Sequence, residues 1–378
     1  MKGLDMQRRL FWAVVASIAL VLGGCGGSDD DAPPKIIIDA DYNTMSDDGQ
    51  LGVMAAQLQA EGKLQVLGIT VVSGNKWRDQ GVLEALKSME RVGMGQRIPV
   101  YAGENYALSH DWATIEQELA AGAANDGYYG AWSVQKTAPT AAELVAPSDG
   151  LATTTTLQPQ NAVDFLIDTI KANPREVTIL AIGPLTNIAK AMRKAPEIVP
   201  LIKQIIYMGG AVHVPGNTTK TAEFNWWFDP EAAQYVVRQP VPQVVVPLDV
   251  TDTVQLTTPI YNRVVRGVRQ TAVTRQFQEV MGPGFNGVGF EGDPNYEMDV
   301  WDTLTIAYLM DPKYATEVSE EYVDVVNAPG AANNGQSIGY ATQPAGPTLQ
   351  KMKVVKKFDN PRFFEFYVDL LTRPVPIP

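Results

Sequence analysis

Four aspartates near the start of the chain have the types and spacing to hold a hard cation. Asp39, Asp41, Asp47 and Asp48 lie where an apolar, β-branched run gives way to a helical pattern. One or two of them could simply cap the helix and complement its dipole. Four exceed that need, because crowded carboxylates raise each other's pKa unless a cation neutralises them. Oxygen ligands of this kind point to calcium or magnesium and away from zinc.

The overall composition limits the chemistry further. The 378 residues include only two histidines, His110 and His213, which excludes a His-rich metal site. A formal net charge of −12 opposes binding to phosphate backbones, so we expect no nucleic-acid partner. The hydrophobic content of 45% and the charged content of 19% are ordinary for a globular enzyme.

The first 24 residues have the pattern of an export signal. Three cationic residues precede an apolar run over 10–22, which is too short to span a bilayer as a mature helix. The run ends in Leu-Gly-Gly-Cys, which resembles the lipobox of bacterial lipoproteins, and Cys25 is the only cysteine of the chain. We therefore predict a lipoprotein signal peptide over 1–24, a lipid on Cys25 and an exported protein anchored at the periplasmic face of a bacterial membrane. A plain signal peptide and an uncleaved anchor are the alternatives.

The segment 25–34 is predicted to be a flexible, charged tether, because it is rich in glycine, aspartate and proline. No convincing linker follows Pro34, and no internal repeat is apparent. The remaining residues, 35–378, are therefore predicted to form one domain.

Short β-branched runs alternate with longer helical patterns, which is typical of an α/β fold. Strands are predicted at 35–39, 64–72, 177–182, 204–208 and 243–246, and helices at 47–61, 77–92, 185–193 and 301–310. The fold class is an open, mostly parallel central sheet flanked by helices. Ligands bind at the carboxyl ends of the strands in such sheets, which is where the aspartate cluster lies.

Two segments depart from the alternating pattern. Residues 109–158 are rich in alanine, glycine, threonine and aromatic side chains and have weak periodicity, and residues 282–297 are rich in glycine, proline and asparagine. Both are interpreted as excursions from the sheet, and such loops often carry site residues.

Residues 36–48, IIIDADYNTMSDD, resemble the aspartate signature that opens the inosine-uridine-preferring nucleoside hydrolase family, D-x-D-P-G-x-D-D. This chain has two more residues between Asp41 and the following aspartate pair, Tyr42-Asn43 instead of Pro-Gly, and Gly49 instead of alanine. Further segments resemble the family's motifs in the family's order: GITVVSGN at 68–75, AIGPLTN at 181–187, MGGA at 208–211, GN at 216–217, AEFN at 222–225, DPEAA at 229–233, LDVT at 248–251 and DVWD at 299–302. The resemblance covers nearly the whole chain after the tether and implies a nucleoside hydrolase-like fold.

The resemblance implies one bound Ca²⁺ and a set of ligands for it. Carried over to this chain, the ligands are Asp41, Asp48, Asp302 and the main-chain carbonyl of Ile182. The cation should polarise an attacking water, and a ligating carboxylate should take the proton of that water. We assign this base to Asp41, whose alternative role is that of a metal ligand alone.

The resemblance also implies contacts to the ribose. The positions that hold the sugar hydroxyls in the family correspond to Asp47, Asn75, Asn217, Glu223 and Asn225. Such contacts would orient the sugar and favour its distortion during cleavage. Met208 resembles the methionine that lies under the sugar, although a methionine at a strand end could equally fill the core.

The base end of the expected site departs from the family. Many members have a histidine before the last aspartate as proton donor to the base, and this chain has Trp301 there. An indole cannot act as a general acid at neutral pH, but it can stack on a purine. Trp301-Asp302 resembles the purine-preferring members, and Asn43 resembles the asparagine found there beside the first aspartates. Trp301 could instead fill the core, and a second aromatic is expected from 126–132, with Trp226 and Trp227 as other candidates.

The predicted function is calcium-dependent hydrolysis of the N-glycosidic bond of ribonucleosides, with purines favoured. A variant in the same class is hydrolysis of another ribosyl compound. The alternative is a lipid-anchored protein that binds nucleosides or ribosyl compounds with lost or altered activity, and an unrelated acidic-site hydrolase is a third. Family members are often dimers or tetramers, so the resemblance implies a homo-oligomer.

Overall fold

A nine-stranded sheet forms the centre of the computed structural model, which describes residues 32–123, 127–267, 269–284 and 287–375. The strands in these residues are β1 (Lys35–Ala40), β2 (Gln65–Val71), β3 (Val100–Ala102), β4 (Val177–Ala181), β5 (Gln204–Met208), β6 (Gln243–Val246), β7 (Gln255–Thr257), β8 (Glu297–Asp299), β9 (Ala315–Val325), β10 (Ser337–Tyr340) and β11 (Lys351–Phe358). β7 and β8 pair only with each other, as a small antiparallel sheet.

The large sheet is open and mostly parallel, as the sequence predicted. Its order is β10-β9-β11-β6-β5-β4-β1-β2-β3. The pairings from β11 to β3 are parallel, and only β9 pairs antiparallel with its two neighbours.

Helices cover both faces of this sheet. Those in the described residues are α1 (Asp47–Ala60), α2 (Arg78–Arg91), α3 (Trp112–Ala120), α4 (Ala131–Val134), α5 (Ala162–Ala172), α6 (Thr186–Lys194), α7 (Phe224–Phe228), α8 (Pro230–Val237), α9 (Leu248–Thr251), α10 (Thr258–Val265), α11 (Ala272–Met281), α12 (Thr303–Met310) and α13 (Asn360–Thr372). Such double cover is expected for parallel strands, whose crossover connections place helices on the faces.

The apolar run of β1 is buried on both sides of the sheet. Ile36 and Ile38 belong to the apolar cluster that includes residues of α1, α2 and α13. Ile37 points the other way, into the cluster that includes residues of α5, α6 and α8. Each of the three is at most 1% exposed. Burying a side chain of this size contributes about 1.5–3 kcal/mol, so this continuous apolar run is stabilised as a central strand.

The strand order reverses between β1 and β4. From β1 the chain proceeds outward to β2 and β3, then returns to β4 on the other side of β1 and continues to β5 and β6. Ligand sites of open α/β sheets lie beyond the carboxyl ends of the strands at this kind of reversal. Asp41 follows β1 there, and Ile182 follows β4.

The excursion at 109–158 contains more regular structure than its weak periodicity predicted. α3 begins after Asp111, whose side chain accepts a hydrogen bond from the backbone N–H of Thr114 at 2.9 Å, and α4 follows Gly130. No strand was predicted from the sequence at β3 or at β7, β8, β9, β10 and β11. β9 is largely exposed in its first half and rich in glutamate, so it lacks the apolar signal that identified the buried strands.

The predicted helix at 301–310 begins at Thr303. Trp301 and Asp302 therefore lie in the turn between β8 and α12. Among the described residues, no helix combines the length and the apolar character needed to cross a membrane.

The residues from Pro33 onward pack as one compact unit. The predicted signal peptide, the lipidation site Cys25 and the tether up to residue 31 lie outside the described residues.

Candidate active site

A cavity of about 420 Å³ opens at the carboxyl edge of the parallel strands. All of the predicted site residues except Asp48 and the lipidation site line this cavity: Asp41, Asp47, Asn75, Ile182, Met208, Asn217, Glu223, Asn225, Trp301 and Asp302. Asp48 is fully buried beside it. The fold thus brings together segments that are up to about 260 residues apart in the chain.

Asp41 is held at the end of β1 by its neighbours. Its Oδ2 accepts a hydrogen bond from the backbone N–H of Asn75 at 2.6 Å. A Cβ atom at Gly74 would lie 2.2 Å from Oδ2, and one at Gly183 would lie 2.8 Å from Oδ1, so only glycine fits at either position. Burial raises the pKa of Asp41 to about 7, against the hydrogen bond from Asn75.

Asp47 and Asp48 occupy the first turn of α1, where the helix dipole favours negative charge. The side-chain amide of Asn75 donates to Oδ2 of Asp48 at 3.0 Å, and Ser46 Oγ donates to the same oxygen at 3.4 Å. Oδ1 of Asp48 is buried and accepts no hydrogen bond from the described residues. Burial raises the pKa of Asp47 to about 6 and, together with the charge of Asp41, raises that of Asp48 well above its usual range.

Asp302 approaches these two aspartates from the other end of the chain. Its backbone N–H donates to Oδ2 of Asp47 at 3.4 Å. One carboxylate oxygen from each of Asp47, Asp48 and Asp302 lies within 4.8 Å of the other two. Burial, and then the charges of Asp47, Asp48 and Asp41, raise the pKa of Asp302 well above its usual range.

A hard divalent cation fits this acidic cluster. The ligand atoms on offer are carboxylate oxygens, which calcium and magnesium prefer, and Oδ1 of Asp48 is a buried acceptor without a donor. No lysine, arginine or histidine of the described residues lines the cavity to neutralise the charge. The three carboxylates whose oxygens lie within 4.8 Å of one another include Asp47, which was predicted from the sequence to bind the ribose. Asp41 is not one of these three, but its charge contributes to the raised pKa of Asp302.

The backbone carbonyl of Ile182 also belongs to the cavity. Asn225 Nδ2 donates to this carbonyl at 3.3 Å and to the carbonyl of Met208 at 3.2 Å. The amide of Asn225 thereby connects the ends of β4 and β5. Because Nδ2 is used by the backbone, Oδ1 is the atom that Asn225 can offer to a ligand.

Glu223 serves as the N-cap of α7. Its Oε1 accepts from the backbone N–H of Asn225 at 2.7 Å, and its Oε2 accepts from the N–H groups of Gly210 at 2.9 Å and Trp226 at 3.1 Å. Burial nevertheless raises the pKa of Glu223 to about 7. Asn217 supports the same helix start, because its Oδ1 accepts from the N–H of Phe224 at 3.0 Å.

Five further residues that line the cavity were not assigned to the site from the sequence: Thr218, Phe224, Asp252, Gln255 and Asp299. Trp301 donates its indole N–H to Oδ1 of Asp252 at 2.9 Å, and the side-chain amide of Gln255 donates to Oδ1 of Asp299. Gln255 and Asp299 are register partners in the small sheet of β7 and β8. Asp299 is the first residue of the DVWD motif at 299–302, so its position was visible in the sequence. The pairing of β7 with β8, which places Gln255 opposite Asp299, could not be predicted from the local sequence.

Tyr128 comes from the segment that was expected to supply a second aromatic. Its hydroxyl donates to Oδ1 of Asn75 at 2.8 Å, and its ring lies 5.3 Å from that of Phe224. Tyr128 as a whole residue is 48% exposed, while its hydroxyl end is directed into the cavity toward Asn75.

The other aromatic candidates and the buried His110 do not line the cavity. Trp226 and Trp227 are at most 1% exposed and pack in the core, where Trp227 donates to Glu118 at 2.9 Å. His110 is also buried, between the Glu118 carboxylate at 3.0 Å and the carbonyl of Phe228 at 3.2 Å. Asn43 lines a different cavity, beside α2 and α4. None of these side chains lines the cavity of about 420 Å³.

The family model for inosine-uridine preferring nucleoside hydrolases matches residues 36–365. The pyrimidine-specific ribonucleoside hydrolase RihB of Shigella sonnei is 32% identical over 295 residues, which cover 77% of this chain and 82% of that protein. RihB of Escherichia coli K12 is similar to the same extent.

Solved structures share the fold. A plant nucleoside hydrolase, PpNRh1, superposes with a TM-score of 0.70 at 24% identity, over 90% of this chain and 100% of that one. A purine-preferring ribonucleoside hydrolase from Gardnerella vaginalis gives the same TM-score and identity, over 90% and 99% of the two chains. At this identity the likeness concerns the fold alone.

Proposed function

The chain belongs to the inosine-uridine preferring nucleoside hydrolase family, and from this premise we propose that it hydrolyses the N-glycosidic bond of ribonucleosides in a calcium-dependent reaction, releasing base and ribose. The observation that carries the proposal is the grouping of Asp41, Asp47 and Asp302 in one cavity of about 420 Å³, with Asp48 buried beside them. That volume suits a small ligand, and the acidic lining suits a cation between ligand and protein.

Asp48 and Asp302 would hold the cation together with Asp41 or Asp47 and the carbonyl of Ile182. When bound, calcium supplies positive charge that orients a water and the ribose hydroxyls and eases ionisation of the water. In the proposed reaction Asp41 accepts the proton of the attacking water. The hydrogen bond from Asn75 to Oδ2 fixes the carboxyl for this task.

Ribose binding is proposed for the polar groups around the cluster. Asp47, Glu223 and Oδ1 of Asn225 offer acceptors to sugar hydroxyls, and Met208 offers an apolar surface at the end of β5. Asn75 and Asn217 are already bonded to Asp48 and to the start of α7, so their first role is to position those groups. Rigid placement of this kind favours the distorted sugar of the transition state.

A purine is proposed as the favoured base. The ring of Trp301 lines the cavity, and Tyr128 offers a second aromatic surface at its mouth. The larger ring system of a purine gains more from stacking than a pyrimidine does. The names of the relatives differ on this point, since RihB is called pyrimidine-specific and the Gardnerella enzyme purine-preferring.

The test is to incubate the purified protein with a panel of purine and pyrimidine ribonucleosides and to follow free ribose. We expect release that a chelator abolishes and that added calcium restores more effectively than magnesium. If no nucleoside yields ribose in calcium, hydrolysis is excluded.

The second candidate is a protein that binds nucleosides or related ribosyl compounds with lost or altered turnover. It is favoured by one observation: Trp301 stands where a histidine donor is usual, and its N–H is already bonded to Asp252. Calorimetric binding of a nucleoside in calcium, without ribose release, would support this candidate.

We also propose that Cys25 carries a lipid that anchors the protein at the periplasmic face of a bacterial membrane, and that the protein forms homo-oligomers. The support for the anchor is the Leu-Gly-Gly-Cys sequence after an apolar run. Mass spectrometry of the protein from membranes should show an acylated N-terminal Cys25, and Cys25→Ser should release the protein from the membrane fraction. Light scattering of the domain 35–378 measures its oligomeric state.

A further inference from the structure

Asp299 is a carboxyl in the cavity that the proposed function leaves without a role. It is the last residue of β8 and lies opposite Gln255 of β7, and both side chains line the cavity. The amide of Gln255 donates to its Oδ1. No side chain of the described residues donates to its Oδ2. One oxygen is therefore fixed, and the other is available to a ligand.

Its surroundings favour the protonated form near neutral pH. Burial, and then the charge of Asp252, raise the pKa of Asp299 to about 7 against the hydrogen bond from Gln255, and the charge of Asp47 adds a smaller share. A cation bound in the acidic cluster would mainly reduce the contribution of the Asp47 charge to the raised pKa of Asp299. The two larger causes, burial and the charge of Asp252, do not involve the aspartates of that cluster, so they persist when the cluster is filled.

The other groups at this end of the cavity are poor proton donors. The indole N–H of Trp301 is bonded to Asp252, and an indole does not release its proton at neutral pH. The hydroxyl of Tyr128 is bonded to Asn75, and burial raises the pKa of this phenol above its usual range. The amide of Gln255 is not an acid. Burial raises the pKa of Asp252, the other carboxyl at this end, but the hydrogen bond from Trp301 opposes this shift and favours the charged form of Asp252. Among the described residues here, the acidic O–H left for a departing base is therefore that of Asp299.

We propose that Asp299 is the proton donor to the leaving base. The inference rests on the proposed hydrolysis. As the bond from C1′ to the base nitrogen breaks, its electron pair goes to the base, and the proton of Asp299 passes to a ring nitrogen. Water adds to C1′ and gives its proton to Asp41, and exchange with solvent returns one proton to Asp299 and removes one from Asp41.

The assignment connects Trp301 to the same chemistry. Asp252 bonds to Trp301 with one oxygen, and its charge favours the protonated form of Asp299. The carboxylate of Asp252 thus fixes the ring of Trp301 by a hydrogen bond and keeps Asp299 protonated by its charge. Asp252 is a positioning residue in this scheme.

The decisive experiment compares a substrate that needs a proton with one that does not. In Asp299→Asn the side chain still accepts from Gln255 but has no transferable proton. With inosine, kcat should fall by about 100-fold or more, which is the usual contribution of a general acid. With p-nitrophenyl riboside, whose leaving group departs as a stable anion, kcat should fall by less than about fivefold. Equal losses with the two substrates would overturn the proposal.

The pH profile supplies a second readout. For the unaltered protein, kcat with inosine should decline as the pH rises through the pKa of Asp299, and Asp299→Asn should lack this decline. Asp252→Asn removes the neighbouring charge but can still accept from Trp301, so it should move the decline toward lower pH by about 0.3 units or more. An unmoved decline in Asp252→Asn would count against Asp299.

The two proposals fail differently. An unaltered protein that cleaves neither substrate would overturn hydrolysis and the donor together. An unaltered protein that is active, with equal losses in Asp299→Asn, would overturn the donor alone.

Discussion

The indole N–H of Trp301 donates a 2.9 Å hydrogen bond to Oδ1 of Asp252. This bond joins the turn before α12 to the end of α9 and fixes the ring at the wall of the cavity. A ring that is held in place loses little conformational freedom when a base stacks on it. In the proposed reaction, the position that carries a histidine in many family members would supply a stacking surface in this chain, and the proton would come from another group.

Removing the indole ring of Trp301 should lower kcat/KM more for purine nucleosides than for pyrimidine nucleosides. In Trp301→Ala we expect kcat/KM for inosine to fall by about 10- to 100-fold, since base stacking on an aromatic side chain is worth about 1–3 kcal/mol. Trp301→Phe keeps a ring and should lose less. The measurement is the ratio of kcat/KM for inosine to that for uridine in each variant. An unchanged ratio in Trp301→Ala would show that the ring of Trp301 does not discriminate between purine and pyrimidine substrates.

Asp48→Asn should weaken calcium binding by about 100-fold or more, because it removes one charge and one oxygen from a buried cluster. Titration calorimetry of the chelator-treated protein measures the affinity. Asp168→Asn is the matched control, since Asp168 is exposed and, in the part of the chain that the structure describes, its side chain bonds only to Gln160. Equal affinities in the two variants would contradict the placement of the cation.

Asp41→Asn should lower kcat by about 10³-fold through loss of the general base. The amide oxygen can still accept the hydrogen bond from Asn75, so the fold should be kept. Calorimetry with calcium and a nucleoside separates the two roles of Asp41. Retained calcium binding with lost turnover identifies the base, whereas parallel losses identify a metal ligand alone.

Without a cation, the protein should become less stable as the pH rises from about 5 to about 8. The folded-state pKa values of Asp39, Asp41 and Glu223 are raised to about 7 and that of Asp47 to about 6. A raised value means that the folded state holds more protons than the unfolded state. The contribution of these protonated carboxyls to the free energy of unfolding is therefore fully present below their pKa in the unfolded state. It is lost as the pH rises through their pKa in the folded state.

Thermal melting in a chelator checks this. We expect a melting temperature at least about 5 °C higher near pH 5 than near pH 8, and calcium should reduce the difference. Carboxylates with lowered pKa, such as Glu90, lose their stabilisation at lower pH and do not mask the effect. A higher melting temperature near pH 8 than near pH 5 in the presence of a chelator would contradict the raised pKa values of these buried carboxyls.

Tyr128→Phe should raise KM about three- to tenfold with a smaller change in kcat, because the lost hydroxyl leaves Oδ1 of Asn75 without its 2.8 Å donor. The phenyl ring still provides stacking. Tyr106→Phe is the control, since Tyr106 is 53% exposed and does not line the cavity. Steady-state kinetics with inosine distinguish the two. An unchanged KM in Tyr128→Phe would remove Tyr128 from the substrate contacts.

Much of the architecture was determined by local sequence. The buried runs of β1, β4, β5 and β6 were predicted within one residue, because a continuous β-branched run bounded by polar residues has few other stable arrangements. The antiparallel edge was missed because β9 is polar and half exposed, so its pairing depends on its neighbours and not on its own pattern.

For the site, the sequence by itself determined which residue types stand in the family's motifs, and it named all of the cluster: Asp41, Asp47, Asp48 and Asp302. Only the tertiary structure decided how these carboxylates group, because a segment about 250 residues away brings Asp302 against Asp47. The register of β7 and β8 likewise places Gln255 opposite Asp299. Side chains from distant segments meet only when strand order and register are set, so burial, charge crowding and the partners of each donor are properties of the folded chain.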